Sequence, residues 1–212
     1  MVAWILASAP TGARLLEIGS GDGVLTERLA TAGVDVLGVD PNGTPSAHVC
    51  DVPVEELDAE PFDIVFASVS LHHLPDPECT TAALRRLTKH GTVLLVREFD
   101  RVLLDDERTL RWWYRQRQAH ETVHPEPDHV PLPESFADFV AGWREHMAHH
   151  VLPWATVRGV IHDAGFETES EVATPYLYRW ALSEPVRALE EALIGEGRIN
   201  QVGIRWAGRR AR

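Results

Sequence analysis

Between Arg14 and Arg97, short apolar runs alternate with segments of helical periodicity, and few folds accommodate that alternation. A helix between two strands returns the chain to the same edge of a sheet, so the pattern predicts βαβ units and a mostly parallel α/β sheet with helices on both faces. Strands are expected at Arg14 to Ile18, Val34 to Val39, a short one near Ala47 to Cys50, Phe62 to Ala67, and Thr92 to Arg97. The fourth is apolar on both faces, as a central strand should be. A helix after the first strand should bury Val24, Leu25 and Leu29 and stop at Gly33. A brief helix is expected around Val54 to Leu57. A longer one, opened by Pro75 and Pro77, should carry Ala82, Ala83 and Leu87 inward and end at His90-Gly91.

Residues 101 to 152 break this rhythm and read as an inserted helical lobe. One helix carries Leu110, Trp113 and Tyr114; prolines 125, 127, 131 and 133 follow. A second has Phe136, Phe139, Val140, Trp143 and Met147 at helical spacing, an apolar stripe that must cover something, either a pocket or more core. From Trp154 the alternation resumes: a helix to Ala164-Gly165, a strand Phe166 to Val172, a helix Pro185 to Ile194, and a last strand Val202 to Ala207.

The 212 residues, 44% hydrophobic and 25% charged, suffice for one domain with an elaborated lobe and exclude disorder or a fibrous chain. No apolar run reaches the roughly 18 to 20 residues that a bilayer crossing needs. Val2 to Ala9 also lacks the basic flank of a signal peptide, so a soluble, cytoplasmic chain is expected, a monomer or homodimer. Cys50 and Cys79 read as small buried residues without disulfide or metal spacing. The formal charge is -12, and the first hundred residues hold 15 acids against 6 bases, so a polyanion meets repulsion and nucleic acid is a poor partner. Five arginines near the C-terminus read as a solvated tail.

The chemistry is concentrated in the loop Gly19-Ser20-Gly21-Asp22-Gly23 between the first strand and its helix, where glycines let a ligand approach the backbone. A dinucleotide loop would place its third glycine three residues after the second; here it is two, and Glu17 stands two before the first glycine. The departure favours a different nucleoside ligand. Asp40, about 20 residues past the loop at the tip of strand two, can accept from both hydroxyls of a ribose. Asp51, at the end of strand three, can accept from an adenine amine, with Val52 donating its N–H to the ring; capping the next helix is its bland alternative.

The segment Glu-Ile-Gly-Ser-Gly-Asp-Gly (17–23), the acids ending strands two and three, and Phe-Asp-Ile-Val-Phe-Ala-Ser-Val-Ser-Leu-His-His-Leu (62–74) together resemble the class I S-adenosylmethionine-dependent methyltransferases of the small single-domain type. The resemblance is close over 12–100, general over 153–207, and absent from the lobe. It implies a Rossmann-like, doubly wound, seven-stranded, mostly parallel sheet with the last strand antiparallel, one methyltransferase domain over 1–212, and an inserted helical lid at 101–152. It also implies S-adenosyl-L-methionine as cofactor. Backbone at Gly19, Ser20 and Gly21 would hold the methionine part, with Glu17 ordering the loop. Asp40 would take the ribose, with Pro41 beside it among the cofactor-binding residues; Asp51 and Val52 would face the adenine, and the Ser68 backbone the amino group.

Methyl transfer from a sulfonium is an in-line displacement, so the protein mainly aligns the reactants; a hydroxyl or ammonium nucleophile must also lose a proton. Histidine suits that task near neutral pH, and His72 and His73 follow strand four at the ligand edge of the sheet. Glu98, Asp100, Tyr114, His120 and His124 are further candidates. The pairs His120/His124 and His146/His150 have i, i+4 spacing, but a third ligand is lacking, so no metal is expected. Trp113, Tyr114, His120 and Trp143 are expected to bind substrate. Without an Asn-Pro-Pro-Tyr loop after strand four, base methylation loses support, and a small-molecule oxygen or nitrogen acceptor is expected. A non-catalytic S-adenosylmethionine-binding protein, a nicotinamide oxidoreductase, and an RNA or protein methyltransferase are the rivals.

Overall fold

The computed structural model describes residues 1–9, 11–123, 132–180 and 184–211. Seven strands form one sheet in the order β3-β2-β1-β4-β5-β7-β6, with β7 antiparallel to the rest. They are β1 (Arg14–Ile18), β2 (Asp35–Val39), β3 (Val49–Cys50), β4 (Phe62–Ser68), β5 (Thr88–Phe99), β6 (Phe166–Thr174) and β7 (Gly203–Arg210). The helices are α1 (Val2–Ser8), α2 (Val24–Thr31), α3 (Pro77–Leu87), α4 (Arg101–Leu104), α5 (Glu107–Val123), α6 (Phe136–His150), α7 (Trp154–Asp163) and α8 (Glu184–Gly195). The expected α/β class and doubly wound order are therefore both present.

The order of the sheet fixes where a ligand can sit. β1 pairs in parallel with β2 on one side and β4 on the other, so the direction in which the sheet is wound, not that of the strands, reverses at β1, and the loops leaving those strands diverge at their C-terminal ends. β4 lies beside it with Phe62, Ile64, Val65, Phe66 and Ala67 all fully buried, the two-faced burial its composition predicts. Leu15, Leu29, Val36, Ile64 and Phe66 pack with Ile5 of α1 into one core. Each such side chain contributes roughly 1.5–3 kcal/mol relative to an exposed one.

Several local expectations are corrected. No helix forms at Val54 to Leu57; two turn bonds, Glu56 N–H to Pro53 and Leu57 N–H to Val54, take its place. The strand near Ala47 shrinks to Val49–Cys50. In α2 it is Thr26 that turns inward, while Val24 is 51% exposed. In α3, Leu84 is buried and Ala82 exposed. β5 begins at Thr88, not Thr92, because Phe62 pairs with Thr88 while Ile64 pairs with Val93, and the ladder bulges between them. Cys50 is half-buried and Cys79 exposed. The arginine tail is not free: Arg209 bonds Glu169, and Arg210 donates to carbonyls at the end of α3.

The chain divides into two compact units. The first is Met1–Glu98 with Trp154–Val172 and Arg205–Arg212; the second is Phe99–Pro153 with Ala173–Ile204. Within the second, Trp113, Tyr114 and Phe139 interlock, Trp113 edge-on to Phe139 at 5.4 Å and Tyr114 tilted at 4.9 Å. Leu110, Trp113, Tyr114, Phe139 and Trp143 are buried, so the stripe on α6 packs as core against α5. The prolines at 125, 127 and 131 lie outside the described residues.

A candidate cofactor cleft at the edge of the parallel strands

A cavity of about 510 Å³ opens at the C-terminal ends of β1, β2, β3 and β4. Its lining comes from the loops that leave those strands: Ile18 and Gly19; Asp40, Pro41 and Asn42; Pro53, Val54 and Glu55; Val69, Ser70 and His73 to Pro75. That size lies within the roughly 300–1,000 Å³ of small-molecule sites. All of these residues belong to the first unit.

The glycine loop is held by β2. Gly19 and Ser20 donate to the Val39 carbonyl at 2.8 and 3.2 Å. Gly21 N–H donates to Asp40 Oδ2 at 3.0 Å, and Asn42 N–H to Asp40 Oδ1 at 2.8 Å. Asp40 thus orders both loops, yet each carboxylate oxygen keeps a lone pair for another donor, which suits the two adjacent hydroxyls of a ribose. Beneath the loop, Glu17 is 4% exposed and accepts from Thr26 Oγ1 at 2.5 Å. This bond ties the end of β1 to α2 beneath the loop. A side chain at Gly38 would come within 2.6 Å of Thr26 Oγ1 and 2.8 Å of Ser20 Cβ, so a bare backbone there lets α2 and the loop sit flat on β2.

Burial pushes the Glu17 carboxyl up from 4.5 to about 7, against the lowering effect of Thr26. A carboxyl that holds its proton more tightly when folded stabilises fully below its unfolded pKa and loses that contribution as pH rises through the folded value. Denaturant unfolding should therefore show wild type losing about 1–3 kcal/mol of stability between about pH 5 and 8 relative to Glu17→Gln. Parallel pH profiles for the two proteins would refute this burial effect.

The far wall of the cleft begins where β4 ends. Val69 has φ 58°, a left-handed conformation that a β-branched residue enters only under constraint. Glu98, at the end of β5 and 1% exposed, accepts from Ser70 N–H at 3.0 Å and Leu71 N–H at 2.9 Å through Oε1. Its Oε2 lies 2.7 Å from His72 Nδ1. His72 is consequently 5% exposed, committed to Glu98, and outside the cavity lining. His73 is exposed and lines the cleft, its ring 4.0 Å from that of His72.

The remaining sequence candidates are distributed unevenly. Gly19, Asp40 and Pro41 line the cavity; Asp51, Val52 and Ser68 do not, although Pro53 and Val69 beside them do. Asp51 is exposed, and no helix follows it to cap. Ser20 is buried against Gly38. Tyr114 Oη lies 2.6 and 2.8 Å from the Pro133 and Glu134 carbonyls, a structural use of the hydroxyl. Trp143 borders a separate cavity of about 500 Å³ in the second unit, with Arg101 and Met147. His120 is half-buried on α5; His124 lies outside the described residues. Among the described residues, no group of three or more His, Cys, Asp or Glu could hold a metal ion, and no helix is long and apolar enough to cross a membrane. The sequence reading missed Asn42, Glu55 and Val69; nothing in the residue type of Val69 signals its backbone.

A doubly wound sheet with a glycine loop and an acid ending the next strand, both at its topological switch point, is the arrangement in which nucleoside cofactors are held. The chain belongs to the class I S-adenosylmethionine-dependent methyltransferases: a family model described as a methyltransferase domain matches residues 2–171. It is 35% identical to a ubiquinone biosynthesis O-methyltransferase of Methylococcus capsulatus, over 43% of this chain and 46% of that protein. For the enzyme of the same name in Bordetella avium the figures are 38%, 42% and 44%. The chain thus aligns with less than half the length of these curated relatives. A solved S-adenosylmethionine-dependent methyltransferase from Methanosarcina mazei shares the fold with a TM-score of 0.58 at 15% identity, covering 98% of this chain and 96% of that one. The family's cofactor is S-adenosylmethionine, and the donors present fit it: a carboxylate for the ribose, backbone at the glycine loop, and apolar walls from Pro53, Val54 and Leu74 for a planar ring.

Proposed function

We propose that this chain methylates an oxygen, or a nitrogen, of a small molecule, with His73 as the group that takes the acceptor's proton. The observation that carries the reading is a single cavity with Asp40 and the glycine loop on one wall and an exposed imidazole on the other. Bound there, the cofactor supplies an activated methyl group on a sulfonium. The residues of the chain then have three tasks. Asp40 and the backbone near Gly19 fix the nucleoside and methionine ends. The loop from Val69 to Pro75 closes the opposite side and excludes water. His73 accepts a proton from a hydroxyl or ammonium as it attacks, a role worth roughly 10²–10⁴-fold in rate. Oxygen is favoured over nitrogen by the curated relatives, which are named for O-methylation in ubiquinone biosynthesis, so phenolic acceptors are the first to try. A helical lid formed by residues 101–152 remains part of the proposal, as does the acidic surface that would repel RNA.

Incubation with S-adenosylmethionine and a panel of phenols, catechols and small amines should yield S-adenosylhomocysteine only when an acceptor is present. Cofactor binding without turnover across the panel would favour a non-catalytic binding protein. With the best acceptor, His73→Ala should lower turnover about 100-fold, with a far smaller change in affinity for S-adenosylhomocysteine. Equal turnover would put proton removal elsewhere.

A further inference from the structure

We infer that Glu98, which is outside the cavity lining, is a positioning residue that sets the affinity of the cofactor cleft by clamping its two walls together; the inference rests on the cofactor reading above. One buried carboxylate at the end of β5 takes three bonds from the loop after β4: the N–H groups of Ser70 and Leu71 on Oε1, and His72 Nδ1 on Oε2. These bonds pull the chain around a tight corner, consistent with the left-handed backbone of Val69, a conformation that the surroundings must impose on a β-branched residue. The Val69 N–H also donates to the Arg97 carbonyl at 2.7 Å, so β5 grips the corner at successive residues.

The clamp reaches the glycine loop through Ser70. With its N–H fixed by Glu98, Ser70 donates from Oγ to the Ile18 carbonyl at 2.8 Å, and its side chain presses on Gly19 so closely that a Cβ on Gly19 would lie 2.2 Å from Ser70 Cβ. Gly19 and Ser70 are therefore one contact shared by the two walls of the cavity. The same carboxylate holds His72, on whose ring His73 rests at 4.0 Å. Losing the acceptor would leave the buried Leu71 N–H and the part-buried Ser70 N–H without their bonds, and the loop would have to move to satisfy them.

Affinity for S-adenosylhomocysteine, measured by calorimetry well below each melting temperature, tests this without any acceptor. Glu98→Ala should weaken binding about tenfold or more, the scale of lost hydrogen bonds to a charged group. Glu98→Gln, whose amide oxygen can still accept from both N–H groups, should restore affinity to within about threefold of wild type. Ser70→Ala leaves the core intact and removes only the Ile18 link; it should weaken binding about threefold, and it carries the test if Glu98→Ala does not fold. A residue that only supported the fold would lower the melting temperature and leave affinity unchanged. Wild-type affinity in Glu98→Ala, or in Ser70→Ala should the former not fold, overturns the inference. A wild-type protein that fails to bind S-adenosylhomocysteine overturns the cofactor reading instead.

Discussion

Asp40→Ala is expected to weaken S-adenosylmethionine binding by roughly 30-fold or more, about 2 kcal/mol, with little change in the folded structure. Two effects combine. The carboxylate proposed to receive the ribose hydroxyls is lost, and the N–H groups of Gly21 and Asn42, 3.0 and 2.8 Å from its oxygens, lose their common acceptor. Because Asp40 is half-exposed, water can solvate those N–H groups, so folding should survive where binding does not. Asp40→Asn separates the two contributions: its amide oxygen can still order one loop but offers fewer acceptors to the ribose. Calorimetry with circular dichroism decides the matter, and an unchanged affinity in Asp40→Ala would remove the ribose assignment.

Gly19→Ala should damage fold and binding together. The new Cβ would meet Ser70 Cβ at 2.2 Å, and φ at Gly19 is +75°, where an L side chain is strained whatever space it has. Overpacking costs roughly 1–3 kcal/mol and a left-handed residue roughly 1–2 kcal/mol, for about 3 kcal/mol in all. In a chain of this size that corresponds to a melting temperature lower by about 10 °C. The cleft should lose affinity for S-adenosylhomocysteine at the same time, because relief requires Ser70 to retreat from the wall it forms. A variant with both wild-type melting and wild-type affinity would mean that Gly19 and Ser70 are not in contact.

Gly19 and Asp40 were both legible in the sequence, because backbone freedom at a strand-to-helix turn and an acid at the tip of the next strand are local features with a fixed spacing. The two-faced apolar run of β4 likewise announced a central strand. Asp51 was legible only as an acid ending a strand; its side chain is exposed and the cavity lining resumes at Pro53. The helix expected at Val54 to Leu57 was a short apolar pattern that a turn satisfies equally well.

His72 and His73 were indistinguishable as residue types, and their separation has no local cause. It follows from a carboxylate 26 positions away from His72 on a neighbouring strand that takes one imidazole into the interior and leaves its neighbour in the cleft. The aromatic residues of α5 and α6 show the same limit from the other side: spacing established an apolar face, while its partner, each other, was set by packing. Sequence by itself determined the alternation of strands and helices, the strand edge at which the cavity opens and two of the residues that line it, because hydrophobic period and turn chemistry act over a few residues. Which histidine lines the cavity, why Val69 takes a left-handed backbone and which loop groups Glu98 binds were decided only by the tertiary structure, because hydrogen bonds to a buried carboxylate join residues that neither spacing nor composition relates.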